Sequence, residues 1–137
     1  PDVALFGEKD YQQLLVIKKL ARDLDIPVEI LGCPTVREHD GLAMSSRNAY
    51  LSEDERRIAG RLNLILHDAI KAVRQGAPVA DVEAEAARHL TAAGFSVVDY
   101  AAIRHADTLA PVSDVSNARI LAAAWLGKTR LIDNMAV

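Results

Sequence analysis

Aromatic side chains are scarce in this sequence, 4% of 137 residues. No core can be built around stacked rings, and the interior has to be assembled from Ala, Val, Ile and Leu. Cysteine is scarcer still. The single Cys33 cannot form an internal disulfide and has no partner at metal-ligand spacing, which excludes a disulfide scaffold and a cysteine-based zinc site. It reads as a small apolar side chain near a strand end, and the lack of disulfides fits the reducing cytoplasm. No apolar run is long enough to cross a bilayer, and the opening residues do not read as a signal peptide. No block of Lys and Arg is present and the formal net charge is -3. Both facts argue against a nucleic-acid backbone as partner. Small anionic substrates stay open, because a few cations gathered in a cleft outweigh a weak global charge.

What is present is half hydrophobic and a quarter charged, the balance of an ordinary globular chain long enough for one domain or two small lobes. Val3 to Phe6 is a short apolar run closed by Gly7, a strand signal. Leu14, Ile17, Ala21 and Leu24 then recur at helical spacing, which predicts a helix from about Asp10 to Leu24 that ends at Ile26-Pro27. Val28 to Leu31 predicts a second strand. Strand, helix, strand is a βαβ unit, the building block of parallel sheets. Two strands alone leave such a sheet uncovered, so further strands are expected upstream.

Pro34 to Tyr50 is polar and irregular, a loop or hairpin between lobes. Ser52 with Glu55 forms a capping box, and Ile58, Leu62, Ile65, Ala69 and Val73 continue as one stripe, predicting a single helix that stops at Gly76. A second helix is expected from Val79 to Ala93. Three strands follow, about Val97–Arg104, Arg119–Leu126 and Thr129–Asn134, with a tight turn at Gly127-Lys128. The middle one is apolar throughout and is expected to be central and buried on both faces, with Trp125 in the core. The expected fold is therefore α/β. Residues 1–51 form the end of a Rossmann-like parallel-sheet domain, and residues 52–137 form a small α+β lobe of two helices and a three-stranded antiparallel sheet.

Two constellations carry chemistry. Gly7-Glu8-Lys9-Asp10-Tyr11-Gln12-Gln13 sits where a parallel strand gives way to a helix, the place where open α/β sheets bind ligands. Gly7 allows close approach to the backbone, and Lys9 with the helix N-terminus favours a phosphate or carboxylate. The same residues also fit a plain helix start, with Asp10 as N-cap and Gln13 as its capping-box mate. Asp40 to Asn48 brings two hydroxyls, free amides and a guanidinium together, a set suited to clamping a polyphosphate. It equally fits a polar linker in which Ser45 and Asn48 make turn hydrogen bonds. His39, His67, His89 and His105 show no metal-ligand spacing, and Glu53-Asp54-Glu55 is a helix start.

Together these segments resemble the pantothenate synthetases, also called pantoate–β-alanine ligases. The family's Gly-Glu-Lys-Asp-x-Gln-Gln-Leu is matched from Gly7 to Leu14, and its Asp-Gly-Leu-Ala-x-Ser-Ser-Arg-Asn from Asp40 to Asn48, followed by Tyr50-Leu51. The second segment is the family's version of the signature loop of class I aminoacyl-tRNA synthetases and related nucleotidylyltransferases. Ile103-Arg104, Ala106 to Leu109, Ala123 to Gly127 and Arg130 to Asn134 extend the likeness over nearly the whole chain. The resemblance implies a two-step reaction: pantoate attacks the α-phosphorus of ATP, with Mg²⁺ accompanying the nucleotide, and β-alanine then displaces AMP. It implies that Lys9 contacts the ATP phosphates, Asp10 a ribose hydroxyl with Gly7 beside it, and Gln13 the pantoate. Ser45, Ser46 and Arg47 close on the phosphates, while Val36 and Met44 flank the adenine. It also implies a homodimer for the full-length enzyme and a lid role for the C-terminal lobe. The family's His-x-Gly-His segment has no counterpart here, so the chain is expected to hold part of a site and to be nearly inert alone. Two alternatives remain: another adenylate-forming or nucleotidyl-transferring enzyme, and an inactive ATP-binding lid module.

Overall fold

The computed structural model describes all residues from Pro1 to Val137. It divides into two compact units, Pro1–Val36 and Arg37–Val137. In the first unit, β1 (Val3–Gly7) leads through a 3₁₀ turn (Glu8–Asp10) into α1 (Tyr11–Asp23), and the chain returns as β2 (Glu29–Cys33). The strands pair in parallel, from Val3 opposite Glu29 to Gly7 opposite Cys33. Leu14 and Ala21 are the buried residues of α1. Leu24 is exposed, contrary to its expected place in the apolar stripe, because it lies just past the helix end. Val3, Leu5 and Leu31 are exposed as well.

The second unit starts with the irregular segment that the sequence places with the first lobe. It contains a 3₁₀ turn (Ser46–Tyr50), then α2 (Glu53–Ala59), α3 (Arg61–Arg74), α4 (Val79–Ala93), β3 (Val97–His105), β4 (Ala118–Leu126) and β5 (Thr129–Ala136). The three strands form an antiparallel sheet with β4 in the middle. The fold class is thus the expected one: a parallel two-stranded piece, helices, and an antiparallel three-stranded sheet.

One difference lies inside that architecture. The single helix expected after Ser52 is two, broken at Gly60. The capping box at Ser52 and Glu55 forms as anticipated. At Gly60, however, a β-carbon would sit 2.6 Å from the Asp40 carboxylate. The side chain of a residue twenty positions earlier occupies the space where the helix surface would continue, and only glycine admits it.

The core of the second unit is aliphatic, as the aromatic shortage requires. Leu62, Leu66, Leu90, Phe95, Ile103, Ile120 and Leu126 are its largest fully buried side chains, each worth about 1.5–3 kcal/mol by removal from water. Ala118, Ile120, Ala122, Ala124 and Leu126 of β4 are all buried, and in register so are Ala101 and Ile103 of β3 and Leu131 of β5. The opposite face of β4 is less covered. Arg119, Leu121 and Trp125 are only partly buried, so the strand is central but not sealed on both sides, and Trp125 is not a core residue. A register shift between Val98 and Tyr100 leaves Asp99 as the extra residue of a bulge. Bulges re-aim side chains, and here the Asp99 carboxylate accepts from Trp125 Nε1 at 3.1 Å and from Arg130 Nε at 2.6 Å.

Candidate functional site

The candidate residues fall into two groups, one in each unit. Gly7, Lys9, Asp10 and Gln13 come together where β1 hands over to α1, at the carboxyl end of the parallel pair. Gly7 is extended (φ -68°, ψ 136°), and a β-carbon there would meet nothing within 4 Å. Neither its backbone nor the chain's own packing demands glycine. Asp10 occupies the N-cap position of α1, yet its side chain makes no capping hydrogen bond. The plain helix-start account of this segment therefore lacks its central contact. Asp10 and Gln13 are exposed, and Lys9 is partly buried. Val36, the last residue of the unit, is exposed.

Met44, Ser45, Ser46 and Arg47 belong to the second unit, where residues 37–51 fold against α2, α3 and β5. A small hairpin forms the base of this segment. Glu38 N donates to Leu42 O (2.8 Å) and Gly41 N to Glu38 O (2.9 Å), with Gly41 at φ +88°. Arg37 bonds the buried Asp133 of β5 with both guanidinium nitrogens, at 2.7 and 2.9 Å, and also donates to Gly41 O. Arg56 of α2 holds Asp40 in the same two-pronged way, at 2.5 and 3.1 Å. Leu42 and Ala43 are buried, and Asn48 Nδ2 donates to Ala43 O. The turn bonds of the polar-linker account are present too, since Ser45 Oγ accepts from Arg47 N at 3.2 Å. These bonds account for the backbone of the segment and leave several of its side chains unengaged. The backbone is braced by its turn bonds, while the Met44, Ser46 and Arg47 side chains are exposed.

The Arg56 hydrogen bond, opposed by partial burial and aided by the Leu42 N–H, lowers the Asp40 carboxyl from 3.8 to about 2. A carboxylate whose folded value is depressed adds stability above its unfolded value, and that stability is lost as pH falls through the folded value. The Asp40–Arg56 pair should therefore contribute on the order of 1–2 kcal/mol at neutral pH and lose it between about pH 4 and pH 2. Urea midpoints of wild type and Asp40→Asn, measured against pH, should converge over that window. Parallel curves would reject the assignment.

Above the braced base lies a cleft of about 910 Å³. Arg47 and Tyr50 line it from the loop, Glu55 from α2, and Trp125, Lys128 and Arg130 from the β4–β5 hairpin. The hairpin needs glycine at Gly127 on two counts, a left-handed φ of +53° and the Glu55 carboxylate lying where a β-carbon would point. No group of three or more His, Cys, Asp or Glu side chains is arranged to hold a metal ion. Sequence reasoning missed the bracing residues Arg37, Arg56 and Asp133, and it placed Lys128 only in the hairpin turn. The braces join positions far apart in the chain, so no spacing signal announces them.

The family model described as pantoate-beta-alanine ligase matches residues 1–136. The chain belongs to the pantoate–β-alanine ligase family. It is 59% identical over 137 residues to a pantothenate synthetase of Mesorhizobium japonicum, covering 100% of this chain and 48% of that protein. Against a pantothenate synthetase of Caulobacter vibrioides it is 60% identical over 141 residues, covering 99% and 49%. A crystal structure of the pantothenate synthetase from Thermus thermophilus superimposes with a TM-score of 0.92 at 47% identity, over 99% of this chain and 50% of that one. A Francisella tularensis pantoate-beta-alanine ligase, crystallised with β,γ-ATP and β-alanine, matches at a TM-score of 0.73 and 31% identity, over 99% and 44%. The ligase-family chain thus spans about half the length of the relatives it matches. No helix in it is long and apolar enough to cross a membrane.

Proposed function

We propose that this chain contributes to an ATP-dependent ligase that condenses pantoate with β-alanine through a pantoyl-adenylate. The observation that carries the proposal is the presence of both motif segments, with the Asp10, Gln13, Met44, Ser46 and Arg47 side chains exposed, within a chain that matches pantothenate synthetases over its own whole length. A pantoate carboxylate oxygen forms a bond to the α-phosphorus of ATP, and the bond to the β-phosphate bridging oxygen breaks to release pyrophosphate. The β-alanine amine then attacks the activated carbonyl, and AMP leaves.

In this reaction Lys9 meets phosphate charge at the end of β1, and Asp10 accepts from a ribose hydroxyl that Gly7 lets come close. Gln13 hydrogen-bonds pantoate. Ser45, Ser46 and Arg47 act on the phosphates, where fixed donors aimed at developing charge give the largest catalytic effects. Val36 and Met44 flank the adenine. Mg²⁺ enters on the phosphate oxygens of ATP, its usual mode of binding. A cytoplasmic homodimer completes the assembly.

Pantoate-dependent ATP–pyrophosphate exchange by the natural polypeptide that contains these residues is the direct test. Exchange that requires pantoate is expected, and other hydroxy acids should not replace it. Residues 1–137 alone should give little or no pantothenate. Robust synthesis by them alone would refute the half-site assignment, and exchange indifferent to pantoate would point to another adenylate-forming enzyme.

A further inference from the structure

The cleft between the Ser45–Arg47 loop and the β4–β5 hairpin holds more cation than the two motifs account for. Three of its lining side chains are basic and one is acidic. The acid, Glu55, accepts from the Ser52 backbone N–H at 2.8 Å as half of the capping box; it keeps its negative charge and offsets one of the cations. Of the bases, Arg130 is bound to Asp99. Arg47 and Lys128 remain. Neither guanidinium nor ammonium has an ion-pair partner in the chain, and both open onto the same space.

Lys128 follows Gly127, which is in the left-handed region and lies close against the Glu55 carboxylate at the start of α2, and α2 in turn follows the Ser-Ser-Arg turn. The fork of Arg47 and the point charge of Lys128 therefore line one cleft from two chain segments. Such a pair suits an anion that carries several charges over some length, a polyphosphate rather than a lone carboxylate. Tyr50, with its side chain largely exposed, adds a hydroxyl donor at the rim.

We propose that Lys128 is a second phosphate-binding cation which, with Arg47, forms a subsite for the pyrophosphate released on adenylation. The proposal rests on the adenylation reading for its ligand and adds a residue from the opposite wall of the cleft. An ammonium there is best matched to the charge gathering on the departing pyrophosphate, and it would also hold that product until release.

The test compares the natural enzyme with Lys128→Ala, Lys128→Arg and Lys71→Ala, the last removing an exposed lysine on α3 outside the cleft. Two readouts are needed: inhibition of pantothenate synthesis by inorganic pyrophosphate, and direct calorimetric titration with inorganic pyrophosphate. Lys128→Ala should weaken both by about tenfold, the scale of one charge-assisted contact. Lys128→Arg should recover most of the loss, and Lys71→Ala should change neither. KM for β-alanine should not move. An active Lys128→Ala enzyme with unaltered pyrophosphate affinity, or equal weakening by Lys71→Ala, overturns the subsite. A protein that fails to adenylate pantoate yet binds pyrophosphate through Lys128 keeps the subsite and removes only the assigned reaction.

Discussion

Replacing Lys9 by alanine in the natural polypeptide should lower pantoate-dependent ATP–pyrophosphate exchange by about 10²–10³-fold, the usual cost of removing one fixed donor from developing charge. The position justifies the size. Lys9 sits in a one-turn 3₁₀ segment between β1 and α1, and in the proposed role its ammonium would act together with the N-terminal end of the helix that follows. In the proposed adenylation, negative charge moves onto the pyrophosphate oxygens as the bond to the α-phosphorus breaks. The rate of exchange should therefore fall more than the KM for ATP rises, the mark of an interaction strongest in the transition state. The fold should not suffer. The turn contains no buried residue, and the unit is held by the β1–β2 pairing and by Leu14 and Ala21. Circular dichroism and thermal unfolding should match wild type. An unchanged exchange rate in a folded variant would take Lys9 out of the phosphate role.

Much of this architecture is legible without coordinates because local rules decide it. A short apolar strand, an amphipathic helix, a proline break and a second strand leave few arrangements other than a βαβ unit. The capping box at Ser52 and Glu55 marks the start of α2 to the residue. Long-range events are not legible. The need for glycine at position 60 is written in the position of Asp40, not in the helical stripe that runs through it. Trp125 ends an apolar run and looks like core. Its indole instead turns toward Asp99, which a bulge in the neighbouring strand has re-aimed. The loop joins the C-terminal unit because Arg37 reaches β5, ninety-six positions away. For the candidate site, the motifs name the side chains proposed to meet a ligand. They say nothing of the residues that hold the loop still, since those are charges paired across the fold.

That bracing carries the largest expected effect on stability. Arg37→Met should destabilise the protein by about 3–5 kcal/mol, the cost of leaving a buried charge without its partner. The Asp133 side chain is 1% exposed, on the face of β5 that Leu131 shares. Without Arg37 it keeps only the Asn134 N–H, at 2.7 Å. Methionine fills much the same volume, so lost packing contributes little. A double variant, Arg37→Met with Asp133→Leu, should be clearly more stable than the single one, because an apolar pair of similar size replaces a buried ion pair at little net cost. Denaturant midpoints of the two singles and the double measure this coupling directly. A single variant within about 1 kcal/mol of wild type would mean that water or another group satisfies Asp133. Function should separate the pair's two roles. Arg37 also donates to Gly41 O, fixing the small hairpin that leads into Met44, Ser45, Ser46 and Arg47. The double variant should therefore recover stability but not ATP affinity, because the restored apolar contact has no donor for that carbonyl. Recovery of both would show that filling the space beside Asp133 is enough to set the loop.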